Sequence, residues 1–318
     1  MAPFGTILAI LPGSCLAGRV DLLDELGELI TRHTGRGTLR KRRITEDASV
    51  TFASERTEPI AVMSEPSLAV VGQGVKRTVL NGTPYDYRAG QYVVVPVDLP
   101  VLGQALAASP AEPLLVFSLT LRPALIASLL LESGAAQPTP AFGGLVIGDA
   151  TAGLLDAVVR LLRAGGHPDD LRVLGPGLVR EIHWRLLTGE QGGLVRRIGL
   201  ADGSLAHIAR AIRWLREHYA EPVHVADLAR LAGMSPSTFH RHFRATTSMT
   251  PIQFQKQIRL QEARARLAAR PRSIAEVAHL VGYDSHSQFT REYRRAFGLT
   301  PARDADRMRG PLAPDPIN

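Results

Sequence analysis

The feature that most constrains this 318-residue chain is a phrase that occurs twice in its last third. Residues 225–243 and 274–293 each read as a short apolar helix, a glycine, a capping Ser or Asp, and a second helix rich in Arg and polar groups. The copies stand 49 residues apart at Gly233 and Gly282 and 50 apart at Phe239 and Phe289, so the second turn is one residue longer. Both close on a matching phrase, Met249-Thr250-Pro251 and Leu299-Thr300-Pro301. Helix, glycine turn, helix is the helix-turn-helix signature, and its duplication in one chain is not a by-product of composition. The pattern points to sequence-specific contact with double-stranded DNA.

Each position in the unit has a physical reason. Ala229 and Ala278 must be small because the second helix of each unit crosses close to them. Gly233 and Gly282 take a turn that favours positive φ. Ser235 is a good N-cap with Pro236 at the first helical position, and Ser285 or Asp284 caps the second copy. Phe239 and Phe243, then Phe289, Tyr293 and Phe297, face inward. Ser237, His240, Arg241 and Arg244 face outward in the first copy, and Ser287, Gln288, Thr290, Arg291 and Arg294 in the second. A preceding helix from His207 carries the stripe Ile208, Ala211, Ile212, Leu215 and Tyr219 and is ended by Pro222. A long helix over 252–268 holds the copies at a fixed separation.

Charge follows the same division. The net charge of +7 is made almost wholly by residues 205–310, which hold 18 Lys+Arg against 9 Asp+Glu; the remainder holds 19 and 21. A basic domain coincident with a doubled motif suits phosphate binding. The single cysteine, Cys15, rules out a disulfide framework and a Cys-rich zinc site and fits a reducing cytoplasm. No apolar run reaches the roughly 18 residues of a membrane span. Residues 1–18 are expected to be a loose extension, with Cys15 inert, because Pro12-Gly13 interrupts the apolar stretch and no basic residues precede it.

Upstream of the repeat the texture is mixed. Leu22, Leu23, Leu26, Leu29 and Ile30 recur at helical spacing. From Ile44 to about Leu121 short β-type runs alternate with turns, notably 50–52, 68–71, 76–80, 92–95 and 114–119. Asn81-Gly82 is a strong hairpin signal, and 88–91 reads as another tight turn. Strands at this spacing predict a small antiparallel barrel or sandwich. Helices are expected over 124–132, 154–164 and 171–187, a linker near 191–205, and a frayed tail over 310–318.

The second copy, Gly-Tyr-Asp-Ser-His-Ser-Gln-Phe-x-Arg-x-Tyr-Arg-Arg-x-Phe-Gly-x-Thr-Pro over 282–301, with Gly-Met-Ser-Pro-Ser at 233–237, resembles the AraC/XylS family of bacterial transcription regulators. The resemblance implies a seven-helix domain over 206–309 whose two recognition helices enter successive major grooves on one face of the duplex. It implies base reading by Ser237, His240, Arg241, Ser287, Gln288, Thr290 and Arg291. Arg can pair bidentately with guanine and Gln with adenine, while Arg244, Arg294 and Arg295 would hold phosphates. Residues 65–77, Tyr85, Tyr87, Gly90-Gln91-Tyr92 and 98–113 are similar to the N-terminal domain of one subgroup. That implies a cupin-like barrel with flanking helices over 19–190, for sensing or dimerisation. The fold class is thus α+β: a cupin-like N-terminal barrel and an all-α double helix-turn-helix domain. Duplex DNA is the expected partner, with a small-molecule effector, RNA polymerase and a second copy of the chain as further candidates. No cofactor is expected.

Two rival functions compete with this one. A cupin-type enzyme fused to a DNA-binding domain would need two or three His and a Glu converging in the barrel, yet residues 34–166 contain no histidine. No metal site is expected. An architectural DNA binder without sequence preference is the second rival. A pocket within the barrel, with Tyr85, Tyr87, Arg88, Gln91 and Tyr92 near its rim, is expected as the effector site.

Overall fold

A computed structural model describes residues 13–134, 144–200, 203–269 and 273–309. The chain opens with helix α1 (Gly13–Thr34), whose start lies inside the segment expected to be a loose extension. The rest of that segment, the side chain of Cys15 and the expected tail lie outside the described residues. Ten strands follow: β1 (Leu39–Arg43), β2 (Ala48–Ala53), β3 (Ile60–Ser64), β4 (Ser67–Gln73), β5 (Val75–Leu80), β6 (Thr83–Arg88), β7 (Gln91–Val95), β8 (Leu99–Ala107), β9 (Leu114–Thr120) and β10 (Val146–Asp149). Helix α2 (Pro123–Ser133) lies before β10, and α3 (Ala152–Ala164), α4 (Pro168–Leu187) and α5 (Gly192–Gly199) follow it.

The strands form two antiparallel sheets, β1-β2-β9-β4-β7-β10 and β3-β8-β5-β6. They share one core but retain free edges, so the cupin-like barrel is open rather than closed. β4 is buried on both faces because α1 covers the outer one. At that contact glycines let the helix approach: a Cβ on Gly72 would stand 3.3 Å from the Leu26 side chain, and one on Gly27 would stand 3.3 Å from Leu115. The β5–β6 hairpin forms where its signal lies, with Asn81 at φ +48° and Gly82 at φ +81°, the two left-handed residues a tight hairpin turn needs.

The segment expected to be a linker contains α5. Gly199 sits so close to Ile126 and Ala127 of α2 that a side chain there would collide. A helix packed against the N-terminal body therefore occupies most of the stretch. From Ser204 the chain is helical: α6 (Ser204–Glu217), α7 (Val225–Leu231), α8 (Pro236–Thr247), α9 (Pro251–Ala268), α10 (Ile274–Leu280), α11 (His286–Phe297) and α12 (Pro301–Arg309). α6 ends at Glu217, before Pro222, and Tyr219 lies beyond it; the loop carbonyls freed by that early end are taken up by α9.

The two halves touch at several points. Asn81 Nδ2 donates to the Ser248 carbonyl at 2.8 Å, and Arg216 pairs with Asp98 at 2.7 Å. Gln261 reaches the Val101 carbonyl at 3.4 Å, and Arg264 reaches that of Pro59 at 3.1 Å.

Candidate nucleic-acid interface

The two helix-turn-helix units are built alike to the level of single hydrogen bonds. In the first, the Met234 amide donates to the Ala229 carbonyl at 2.9 Å; in the second, Tyr283 donates to Ala278 at the same distance. Ala229 and Ala278 are buried under the crossing helices, as their size requires. Gly233 and Gly282 hold φ of +64° and +89°. Ser235 and Ser285, not Asp284, are the N-caps of α8 and α11, their hydroxyls accepting from Thr238 and Gln288. Besides the extra residue in the second turn, the copies differ in the room at the glycine. A Cβ on Gly233 would meet only the His207 ring at 3.7 Å, whereas one on Gly282 would run into the backbone of Ala220.

Aromatic rings seat each second helix. Phe239, Phe243 and Phe254 pack tilted and edge to face in a chain with centroids 5.4 and 5.5 Å apart, and Phe289, Tyr293 and Phe297 follow edge to face at 5.5 and 4.7 Å. These apolar stripes turn the polar faces of α8 and α11 outward. Ser237, His240, Arg241 and Arg244 are exposed on α8, and Ser287, Arg291, Arg294 and Arg295 on α11. None of these five arginines forms an ion pair among the described residues, so their guanidinium groups remain available for an external anion. Burial, with Arg241 and Arg197 nearby, holds the His242 ring below its ordinary pKa.

Two expected base-reading residues are placed differently. The Gln288 amide is half-buried and donates to Glu292 Oε1 at 3.1 Å. Thr290 is half-buried, and its hydroxyl is fully enclosed without a hydrogen-bond partner among the described residues. Gln288 is held there by Glu292, which also accepts from Lys256 Nζ and Tyr283 Oη, both at 2.9 Å, and ties that side of α11 to α9. Burial and the Glu292 carboxylate push the Tyr283 phenol well above its ordinary pKa.

The linking helix does more than separate the units. α9 begins with a capping box, Thr250 and Gln253 bonding reciprocally. From its middle, Arg259 donates to the carbonyls of Tyr219 at 2.7 Å and Glu221 at 3.0 Å before unit one, and to that of Gly282 at 2.6 Å in the second turn. Gln255 adds bonds to Tyr219 and Glu221 at 2.9 and 2.7 Å. One guanidinium thus bonds the loop that leads into the first unit and the turn of the second. A lone Arg on a long helix carries no periodic signal, and nothing in the sequence singles Arg259 out.

The barrel tyrosines do not form a rim. Tyr87 and Tyr92 are core residues, and burial raises the Tyr92 phenol to about 12. A cavity of about 1120 Å³ opens instead between the two halves, where Met63, Asp98, Arg122, Ile198, Arg213 and Ile258 are among its walls. No group of His, Cys, Asp and Glu among the described residues could hold a metal, and no described helix is long and apolar enough to cross a membrane.

An open two-sheet body joined to a duplicated helix-turn-helix domain defines a two-domain protein of the AraC kind. The family profile described as the AraC-type transcriptional regulator N-terminus matches residues 46–194, and a helix-turn-helix domain profile matches 228–307. The chain belongs to the AraC/XylS family. Curated relatives include the HTH-type transcriptional activator RhaS of Pectobacterium carotovorum subsp. carotovorum, 35% identical over 88 residues. Another is the probable transcriptional regulator LumQ of Photobacterium leiognathi, 31% identical over 90. These alignments cover 28% of this chain and 32% and 36% of those proteins, so the chain matches about a third of their length. Among solved structures, unsaturated fatty acid bound ToxT from Vibrio cholerae aligns with a TM-score of 0.52 at 12% identity, over 83% of this chain and 96% of that one. That likeness is one of fold.

Proposed function

We propose that the protein is a sequence-specific DNA-binding transcriptional regulator, with α8 and α11 reading successive major grooves. The observation that carries this is the pair of matched units, each presenting on an exposed helix arginines that form no ion pair among the described residues, while the Arg259 guanidinium joins the second turn to the loop before the first unit. Arg241 and Arg291 are the foremost base readers, with Ser237, His240 and Ser287 beside them; Arg244, Arg294 and Arg295 hold phosphates. Gln288 reads a base only if Glu292 releases it, and Thr290 only if its enclosed hydroxyl is uncovered. Residues 206–309 carry the DNA function, and 19–190 serve sensing and pairing of two copies in the cytoplasm. RNA polymerase is the expected downstream partner, and no chemistry is catalysed.

An effector belongs to the same proposal. The cavity between the halves suits a small molecule with an apolar body and one polar end, and occupancy there would bias how the two domains sit. Selection of duplexes from random DNA tests the core of the reading. A regulator should prefer its selected sequence by about 10³ or more at fixed salt. Equal affinity for selected and scrambled duplexes would leave only an architectural binder.

A further inference from the structure

The N-terminal half contains one strongly cationic element. β1 reads Leu39-Arg40-Lys41-Arg42-Arg43, and all five residues are exposed. Arg32 and Arg36 precede it, and no Asp or Glu occurs between Glu28 and Glu46. β1 is the outermost strand of the large sheet and bonds on one side only, to β2. Arg40 and Arg42 stand opposite Phe52 and Val50, and Lys41 and Arg43 opposite Thr51 and Ser49. Cations therefore project from both faces of the strand. Arg42 donates to the His33 carbonyl at 3.0 Å. Arg36, Arg40, Lys41 and Arg43 form no ion pair among the described residues.

One charge is enough to stop an edge strand from pairing with another. Four in succession repel one another and are far beyond that need. A second copy does not fit the edge, because antiparallel pairing would set cations against cations. The charge of the strand is complementary to a polyanion. Its position follows from the chain path. The Ser54 amide donates to the Thr38 carbonyl at 3.0 Å, tying the start of β1 to the loop after β2. Four residues on, Glu58 pairs with Arg307 of α12 at 3.3 Å, and Pro59 receives Arg264 of α9. Four residues span at most about 14 Å. The start of the basic strand thus lies within reach of α9 and of α12, the helix that follows the second helix-turn-helix unit.

We propose that β1 is a second, sequence-blind DNA contact, in which Arg40, Lys41, Arg42 and Arg43 grip backbone phosphates flanking the segment read by α8 and α11. The inference rests on the DNA-binding reading above. The test uses the full chain and two duplexes with the same selected core, one of about 22 and one of about 60 base pairs, titrated from low to moderate salt. Removing one cation from a phosphate flattens the salt slope by about 0.9. The variant R40Q/K41Q/R42Q/R43Q should bind the long duplex about tenfold more weakly, with a slope shallower by about two to four. Its binding to the short duplex and its preference for the core should be unchanged. The milder K41Q/R43Q, which leaves the Arg42 bond to His33 intact, should show about half the change in slope. Equal slopes for wild type and both variants on the long duplex overturn the proposal, as does a variant whose only change is self-association. A wild-type protein that does not discriminate the core at all would instead sink the sequence-specific reading on which the inference rests.

Discussion

Arg264 and Asp304 meet at 2.9 Å with side-chain exposures of 12% and 0%, joining the linking helix α9 to α12. The same carboxylate accepts from Tyr293 Oη at 2.8 Å, and the same guanidinium reaches the Pro59 carbonyl in the N-terminal half. Recognition helix α11 is therefore anchored to a buried charge pair that also touches the other domain. Burial and the Asp304 carboxylate push the Tyr293 phenol far above its ordinary value, so it stays a donor throughout the physiological range.

Removing one partner of such a pair leaves the other charge buried and uncompensated. Asp304→Asn should cost about 3–5 kcal/mol, and Tyr293→Phe about 1 kcal/mol. Urea unfolding of the full chain measures both. A loss below 1 kcal/mol for Asp304→Asn would mean that water replaces the carboxylate.

The two turn glycines should respond unequally. Both hold positive φ, so alanine strains either one by about 1 kcal/mol. At Gly282 the methyl must also displace the Ala220 backbone, whereas at Gly233 it has room. Gly282→Ala should lower stability by about 1–3 kcal/mol more than Gly233→Ala, read from paired thermal melts. Equal losses would refute the crowding at Ala220.

Base reading and phosphate holding are separable. Arg291→Ala should cost about 1–3 kcal/mol on the selected duplex and relax preference at one position. Arg244→Gln should weaken all duplexes alike and flatten the salt slope by about one. Binding assays on a panel of single-base variants distinguish them; a uniform loss for Arg291→Ala would remove it from the base-reading set.

Stability should also decline toward acid pH through His183. The ring is fully buried; Nδ1 donates to the Val179 carbonyl at 2.8 Å and Nε2 accepts from the Arg122 amide at 3.2 Å. Burial holds its pKa below the ordinary value, and protonation at Nε2 would set a donor against a donor. The unfolded chain takes up that proton near pH 6.5 while the native state resists it. Stability from this group is thus fully present above about 6.5 and lost as pH falls toward the native pKa. His183→Gln should be less stable at pH 8 and show a flatter decline between pH 7 and 5 in denaturant titrations. A decline as steep as that of wild type would assign it elsewhere, for example to His242.

The helical half was legible because its constraints are local. Ser235, Pro236 and Gly233 act within one turn of the chain, and Phe239 and Phe243 betray their shared face by spacing alone. The strands with apolar runs were legible for the same reason. β1 was not, since Arg40 to Arg43 offer no apolar alternation and become a strand only because Val50 and Phe52 supply a paired neighbour. β8 was obscured by Pro100 and Gly103, and α5 by the glycines at its ends. Of the outward residues, the arginines lie where periodicity puts them. Gln288 does not, because Glu292, Lys256 and Tyr283 meet only in three dimensions, and the enclosure of the Thr290 hydroxyl carries no signal in the sequence.

The clamp made by Arg259 has a consequence for any operator this protein recognises. With the second turn and the loop leading into the first unit bonded to one guanidinium, the reading heads are held against sliding or swivelling independently. Inserting a single base pair between the two contacted segments would carry one about 3.4 Å along and roughly 35° around the duplex. Such a site should be lost almost entirely, whereas a protein with a slack tether would still straddle it.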